Sequence, residues 1–116
     1  MNFNRRYRDF ASTAYVNAVL IGAVPTGYRW RLTAILGYNS KATTQFLQLH
    51  DLSAAPADGV VPVLPLQLEA QKNFFIDLND YGMRFSTGLY ICNSSTATTK
   101  TIGSADCWIN GTYEIE

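Results

Sequence analysis

The chain has 116 residues, a length that suits one domain with a single compact core. Nine Lys and Arg residues balance nine Asp and Glu residues, and charged residues make up only 16% of the chain. This balance argues against nucleic-acid binding, because domains that bind nucleic acid are usually basic. No apolar run approaches the ~18 residues that a membrane span needs, and we expect a protein made in a cytoplasm.

The first residues combine arginines with aromatic side chains. Apolar residues between Tyr7 and Val19 fit a helical spacing, but alternation from Ala14 to Leu20 fits a strand equally well. We favour an extended arm over residues 1–12, followed by a strand over about residues 13–21. Since protein interfaces favour Tyr, Phe and Arg, the arm is predicted to dock on a neighbouring protein; a disordered tail is the alternative. The predicted contact residues are Phe3, Arg5, Arg6, Tyr7, Arg8 and Phe10.

Further along the chain, short runs of alternating apolar and polar residues are separated by turn residues such as Asp58-Gly59. The run from Val60 to Leu68 contains two prolines, which predicts an edge strand or an irregular one. The pattern predicts an all-β fold over residues 13–116, a single antiparallel, jelly-roll-like sandwich of six to eight strands. The residues expected to face its core are Trp30, Leu32, Leu47, Leu49, Ile76, Leu89 and Ile91.

Candidate chemical groups are few. His50 is the one histidine and lies on the polar side of its strand, where we expect it to be at the surface or partly buried. Asp77 and Asp80 flank a turn, which is their simplest role, and neither cysteine has the flanking motif of a nucleophile. No metal-binding spacing is present. We therefore expect no enzyme activity, no catalytic residue, no metal and no cofactor.

Two further features concern aromatic residues and charge. Trp30 and Trp108 lie in strand-like runs and could be core anchors, a sugar-stacking platform or interface anchors. Residues 1–31 carry five arginines and one aspartate, whereas residues 101–116 carry three acidic residues and no basic one. The two ends could therefore attract each other or complementary neighbours, and solvated termini are the alternative.

Several segments carry a resemblance to a known family. The strand from Tyr28 to Tyr38 leads into Asn39-Ser40-Lys41-Ala42, and it is followed by Phe46-Leu47-Gln48-Leu49-His50-Asp51. Ala55-Pro56 and Pro62-Val63-Leu64 come next, and then Arg84-Phe85-Ser86-Thr87-Gly88-Leu89-Tyr90. From about Thr13 to Tyr113, this order resembles a group of small β-sandwich structural proteins of tailed-bacteriophage virions.

The resemblance implies a capsid decoration or cement protein that binds and stabilises the head shell. Its implied partners are the major capsid protein of the same virion and further copies of itself, with a trimer favoured over a dimer, and neither nucleic acid nor a membrane. The implied location is the head surface of a virion assembled in the host cytoplasm. The alternative is an adhesion or carbohydrate-binding module on a fibre or spike.

Cys92 and Cys107 are expected to be reduced and dispensable for folding. Replacing both with alanine should lower the free energy of unfolding by only ~1–2 kcal/mol through lost packing. Urea denaturation in reducing buffer measures this, and a double variant that does not fold would contradict the prediction.

Overall fold

The structure of the protein is a computed structural model that describes residues 6–79 and 81–116, with only the backbone described at Arg6. These residues form nine strands and no helix, so none of them could cross a membrane as a helix. The strands are β1 (Arg6–Ala11), β2 (Ala18–Ala23), β3 (Trp30–Asn39), β4 (Gln45–His50), β5 (Leu64–Leu68), β6 (Lys72–Asp77), β7 (Met83–Phe85), β8 (Gly88–Ser94) and β9 (Cys107–Ile115).

The strands form two antiparallel sheets that pack face to face. Sheet A has the order β1-β9-β3-β6, and the short strand β7 pairs with the part of β3 that β6 leaves free. Sheet B has the order β2-β8-β4-β5. Apart from the short strand β7, each sheet has four strands, and the chain passes between them repeatedly, which is the arrangement of a jelly roll. The predicted sandwich is confirmed, and β7 is the strand beyond the expected six to eight.

The core lies between the two sheets. Side chains alternate across each strand, so every second residue of β3, β4, β8 and β9 points inwards. The expected core residues are buried, except that Ile76 is only partly buried and packs against the others. Trp30 is 7% exposed, so of the roles considered for it the core anchor is confirmed. Strand β5, which contains Pro65, lies at the edge of sheet B as predicted.

The first strands differ from the expected boundaries. Strand β1 begins at Arg6, inside the segment assigned to an arm, and pairs with β9 over six residues. Residues 12–17 then cross from sheet A to sheet B, and Val16 still bridges Cys107 of β9. For this reason β2 begins at Ala18 rather than near residue 13. The described part of the predicted arm is therefore an extended edge strand of the sandwich.

Glycine at one position makes this pairing possible. Phe10 of β1 lies directly opposite Gly111 of β9, and a Cβ atom built on Gly111 would stand 2.4 Å from the Phe10 ring. The ring instead covers the glycine and lies 6.3 Å from the ring of Tyr113. Cross-strand contacts of this kind are the main stabilising unit of a sheet. Strand β1 is consequently fastened to the core through Phe10.

Asp51 joins the end of β4 to the start of β8. Its carboxylate accepts hydrogen bonds from the backbone N–H groups of Ser86 (3.3 Å), Thr87 (2.9 Å) and Gly88 (3.1 Å). The Ser86 hydroxyl donates a further bond at 3.3 Å. A Cβ atom on Gly88 would stand 2.4 Å from the Leu52 carbonyl oxygen, so the close approach requires glycine. Two of the segments that carry the family resemblance thus interlock.

These bonds lower the pKa of Asp51 from its ordinary value of 3.8. Burial by itself raises the pKa, and the donors of Thr87, Gly88 and Ser86 outweigh it because they stabilise the charged carboxylate. A group whose pKa is lower in the folded state stabilises the fold above its unfolded pKa. That contribution is lost as the pH falls through the lowered pKa.

Replacing Asp51 with asparagine should reduce the free energy of unfolding by about 1–2 kcal/mol at pH 7, because the neutral amide is a weaker acceptor. The difference between the two proteins should shrink below about pH 4 as the wild-type carboxylate is protonated. Urea denaturation at pH 7 and pH 3 measures both effects. Asp9→Asn, at an exposed position of β1, is the matched control. An equal loss in both variants would contradict the prediction.

Candidate interaction surface

The predicted arm residues fall into three groups. Phe3 and Arg5, like the side chain of Arg6, lie outside the described residues. Tyr7 and Arg8 are exposed on β1, and a terminal nitrogen of the Arg8 guanidinium donates to the Tyr7 carbonyl oxygen at 3.0 Å. Phe10 is partly buried and packs against the core. Docking through these residues stays a prediction.

A patch of exposed apolar side chains lies on the outer face of sheet A. Phe75 of β6 pairs with Leu36 of β3, and Tyr38 of β3 pairs with Trp108 of β9, so all four share this face. Exposure reaches 68% for Phe75 and 38% for Leu36. The rings of Tyr15 and Trp108 meet edge to face at 5.8 Å. We call these five residues the apolar patch: Tyr15, Leu36, Tyr38, Phe75 and Trp108.

Neutral polar groups complete the patch. Asn73 and Asn110 flank a shallow depression of about 470 Å³, lined by patch residues and the backbone of Gly37. With its amide turned so that the oxygen faces the indole, Asn110 accepts the N–H of Trp108 at 3.3 Å. The patch and these two amides contain no charged side chain. Neutral amides and aromatic rings are cheap to desolvate compared with charges, so this area suits contact with another protein.

Charges gather at the other end of the same sheet. Arg31 contacts Glu114 at 2.6 Å and Glu116 at 3.4 Å, and Arg84 contacts Glu116 at 3.2 Å. The hydrogen bond that Arg31 donates to Glu114 and the charges of both glutamates raise the pKa of Arg31, whereas burial lowers it. The predicted attraction between the basic first part and the acidic last part is confirmed at Arg31.

The outer face of sheet B is covered over its two central strands, β8 and β4. Residues 52–63 and 95–102 lie over β4 and β8, and they exchange backbone hydrogen bonds at Lys100. We call these two segments the loop cover. His50 is 1% exposed beneath it, so the expectation of a surface or partly buried histidine is wrong. The polar face of β4 is buried because a second layer of chain covers it.

The possible catalytic groups are not assembled. His50 is in sheet B and Asp77 is in sheet A, while Asp80 lies outside the described residues. Cys92 and His50 both approach the Gln48 side chain, but burial raises the pKa of the Cys92 thiol to about 11. The thiolate, which is the nucleophile, is therefore scarce near neutral pH. Within the described chain, no group of three or more His, Cys, Asp or Glu residues could hold a metal ion.

Both cysteines are free and buried in the described structure. Cys107 belongs to the core between the sheets, where burial raises the pKa of its thiol to about 11. Its sulfur lies 3.9 Å from the side-chain oxygen of Asn39. Because Cys92 lies on the opposite face of sheet B, beneath the loop cover, the two thiols occupy separate environments.

The comparisons with known proteins add one similarity. No protein-family model matches the sequence, and no match was found among curated proteins. Among solved structures, the chain is similar to the coat protein of Tobacco streak virus, with a TM-score of 0.45 and 11% identity. The alignment covers 99% of this chain and 87% of the coat protein chain. At this identity and score, the likeness does not assign a function.

Truncating Phe10 should cost far more stability than truncating Arg8. Phe10→Ala removes the ring that covers Gly111 and should lower the free energy of unfolding by ~2 kcal/mol, about half the cost of deleting a fully buried Phe. Arg8→Ala, on the same strand and exposed, should change it by less than ~0.5 kcal/mol. Thermal and urea denaturation measure both. Equal effects would show that β1 is not fastened through Phe10.

Proposed function

We propose that the chain is a structural protein of a virus particle, a decoration or cement protein that binds the head shell. The observation that carries the proposal is the uncharged apolar patch on the outer face of sheet A. Exposed apolar side chains that adjoin one another in this way usually mark an interaction site in a protein that is otherwise polar outside. The proposed occupant of the patch is the major capsid protein of the same virion.

The fold and the resemblance support this proposal. Double-sheet jelly rolls are common in viral capsid proteins, although this is an analogy at the level of fold and such sheets also occur in lectins and cupins. The segments that resemble tailed-bacteriophage virion proteins include Asp51 and its Ser86–Gly88 partners. Their hydrogen bonds join the end of β4 to the turn between β7 and β8. A shell protein needs such fastening more than it needs reactive groups. Absence of enzyme activity remains part of the proposal.

Self-association and location extend the same proposal. A shell offers many identical positions, so weak contacts of single copies can add through multivalency. A trimer is favoured over a dimer, since decoration proteins often lie at three-fold positions, and neither nucleic acid nor a membrane is a proposed partner. The proposed location is the head surface, in particles assembled in the host cytoplasm.

A second candidate function is carbohydrate binding on a fibre or spike. The specific observation in its favour is that Trp108 and Tyr38 lie beside the amides of Asn73 and Asn110 around a depression. The interplanar angle of 83° between Tyr15 and Trp108 weighs against it, because sugars stack on coplanar or single open rings. Glycan titration followed by tryptophan fluorescence distinguishes the two: saturable quenching that is lost in Trp108→Ala favours the carbohydrate function.

Replacing Phe75 with serine should weaken binding to undecorated particles by roughly tenfold or more, equivalent to ~1.4 kcal/mol at each site. The reason is that Phe75 is the most exposed member of the patch and contributes the largest buried area on docking. Val61→Ser is the matched control, since Val61 is 70% exposed on the loop cover, away from the patch. Co-sedimentation with particles measures binding, and thermal denaturation checks that both variants are folded.

Equal binding by wild-type protein and Phe75→Ser would contradict docking through the patch. Absence of the chain from purified virions, measured by mass spectrometry, would contradict the virion role itself.

A further inference from the structure

Gln48 lies at the centre of a buried polar layer between sheet B and the loop cover. Its side-chain nitrogen shares two hydrogens among three carbonyl oxygens of the cover, those of Thr96 (2.8 Å), Ala97 (3.1 Å) and Thr99 (3.0 Å). Gln48 itself has no exposed surface. Because the amide nitrogen only donates, this arrangement fixes which way the amide points. The Gln48 oxygen is therefore turned towards the sheet and towards His50.

His50 is the second member of the layer. Its Nε2 atom lies 3.2 Å from the Gln48 side-chain oxygen, which can only accept a hydrogen bond. Nε2 must therefore carry a hydrogen, so the neutral form of the ring is the tautomer protonated at Nε2. Any further proton would have to be added at Nδ1. That step would place a charge on a ring with 1% exposure.

Lys100 is the third member and already brings a positive charge. It is 5% exposed, and its ammonium lies 5.4 Å from the centre of the Tyr90 ring. The ammonium donates to the Pro56 carbonyl oxygen and lies 3.9 Å from a carboxylate oxygen of Asp58. Lys100 thus connects both segments of the loop cover to the outer face of β8. Asp58 supplies the one carboxylate described in this layer.

Among the described groups that face His50, the Asp58 carboxylate already lies against the Lys100 ammonium, so it does not balance a second proton. From β8, the Tyr90 ring meets the imidazole edge to face at 5.9 Å, and burial raises the pKa of Tyr90 to about 12. Cys92 is also protonated near neutral pH, as described above. From the loop cover come Lys100 and its partner Asp58. Asp51, the next residue along the chain, directs its carboxylate to the turn at residues 86–88.

We propose that His50 makes the loop cover sensitive to acid. A second proton on its ring opens the cover away from sheet B, while the core between the sheets stays folded. This inference does not depend on the proposed function. Its physical basis is repulsion, because a charged imidazole and the Lys100 ammonium would share one buried layer with one carboxylate.

Burial and the Lys100 charge both lower the pKa of His50 from its ordinary value of 6.5. A base whose pKa is lower in the closed state binds its proton more readily once the cover opens. The closed state is therefore favoured above about pH 6.5 and loses stability as the pH falls below that value.

The cover should open before the core unfolds because the two are held by different interactions. The cover is fastened mainly by polar contacts of Gln48, Lys100 and Ser94, and many of its own residues are exposed. The core consists of apolar side chains from both sheets, and its Cys107 thiol, with a pKa of about 11, keeps its proton throughout the acidic range. Segments with few buried apolar contacts open locally at lower cost than the whole fold.

The two cysteines provide the test. Cys92 lies beneath the cover and Cys107 lies in the core, so local opening exposes only the first thiol and global unfolding exposes both. The full chain is treated with a dithiodipyridine, which reacts with thiols at acidic pH, and each site is quantified by mass spectrometry. Rates at pH 8 and pH 5 are divided by those of a free cysteine peptide at the same pH.

We expect the normalised rate at Cys92 to rise roughly tenfold at pH 5, because protonation of His50 favours the open cover, while Cys107 stays unreactive. His50→Gln, which keeps a hydrogen-bond donor but does not titrate, should lose the rise. Lys100→Met should reduce it, because the repelling charge is removed.

Three outcomes would overturn the proposal. A parallel rise at both cysteines would show global unfolding, and no rise at Cys92 would show a cover that does not open. An equal rise in wild type and His50→Gln would assign the opening to another group. If His50→Gln does not fold, labelling of its Cys107 at pH 8 reveals this. The Lys100→Met variant then tests the proposal, and a rise at Cys92 equal to that of the wild type would overturn it.

Discussion

The antiparallel pairing of β3 with β9 is the contact on which the rest of the structure depends. It joins Trp30–Asn39 to Cys107–Ile115 in the middle of sheet A, and β1, β6 and β7 attach to this pair on either side. Because antiparallel partners share a face, the pairing brings Arg31 to Glu114 and, beyond a bulge between Leu32 and Ala34, Tyr38 to Trp108. A shift of one residue would turn Ile35 and Ile109 outwards, so burial of the core fixes this register.

Sheet B differs from sheet A because its central strands, β8 and β4, are covered on both faces. Leu47 and Leu49 face the core, while Gln48 and His50, on the same strand, face the loop cover. Buried polar groups must find partners, and Gln48 finds them in three carbonyl groups of the loop cover. The layer is therefore specific to one cover conformation. The layer is also sensitive to added charge, because Gln48 and His50 are buried and water cannot screen a charge placed there.

The two outer faces suggest a division of roles. The outer face of sheet A has no cover, and its exposed aromatic side chains are the basis for a proposed docking surface on a virus shell. The opposite side carries the loop cover, where charges and titratable groups are enclosed. A protein attached through sheet A would present the loop cover outwards, so an acid-sensitive cover would respond to the medium around the particle.

The sequence by itself determined the all-β class, the core faces of the strands and the edge position of the strand with Pro65. These follow from local alternation and from the missing N–H of proline, which act on each strand alone. The sequence also showed two aromatic residues, Phe75 and Trp108, on the polar sides of their strands. Only the tertiary structure showed that β3 lies between those strands and joins the two side chains into one patch. It also decided that β1 belongs to sheet A and that His50 is buried, because both depend on segments distant in sequence: Gly111 accommodates Phe10, and residues 95–102 cover the imidazole.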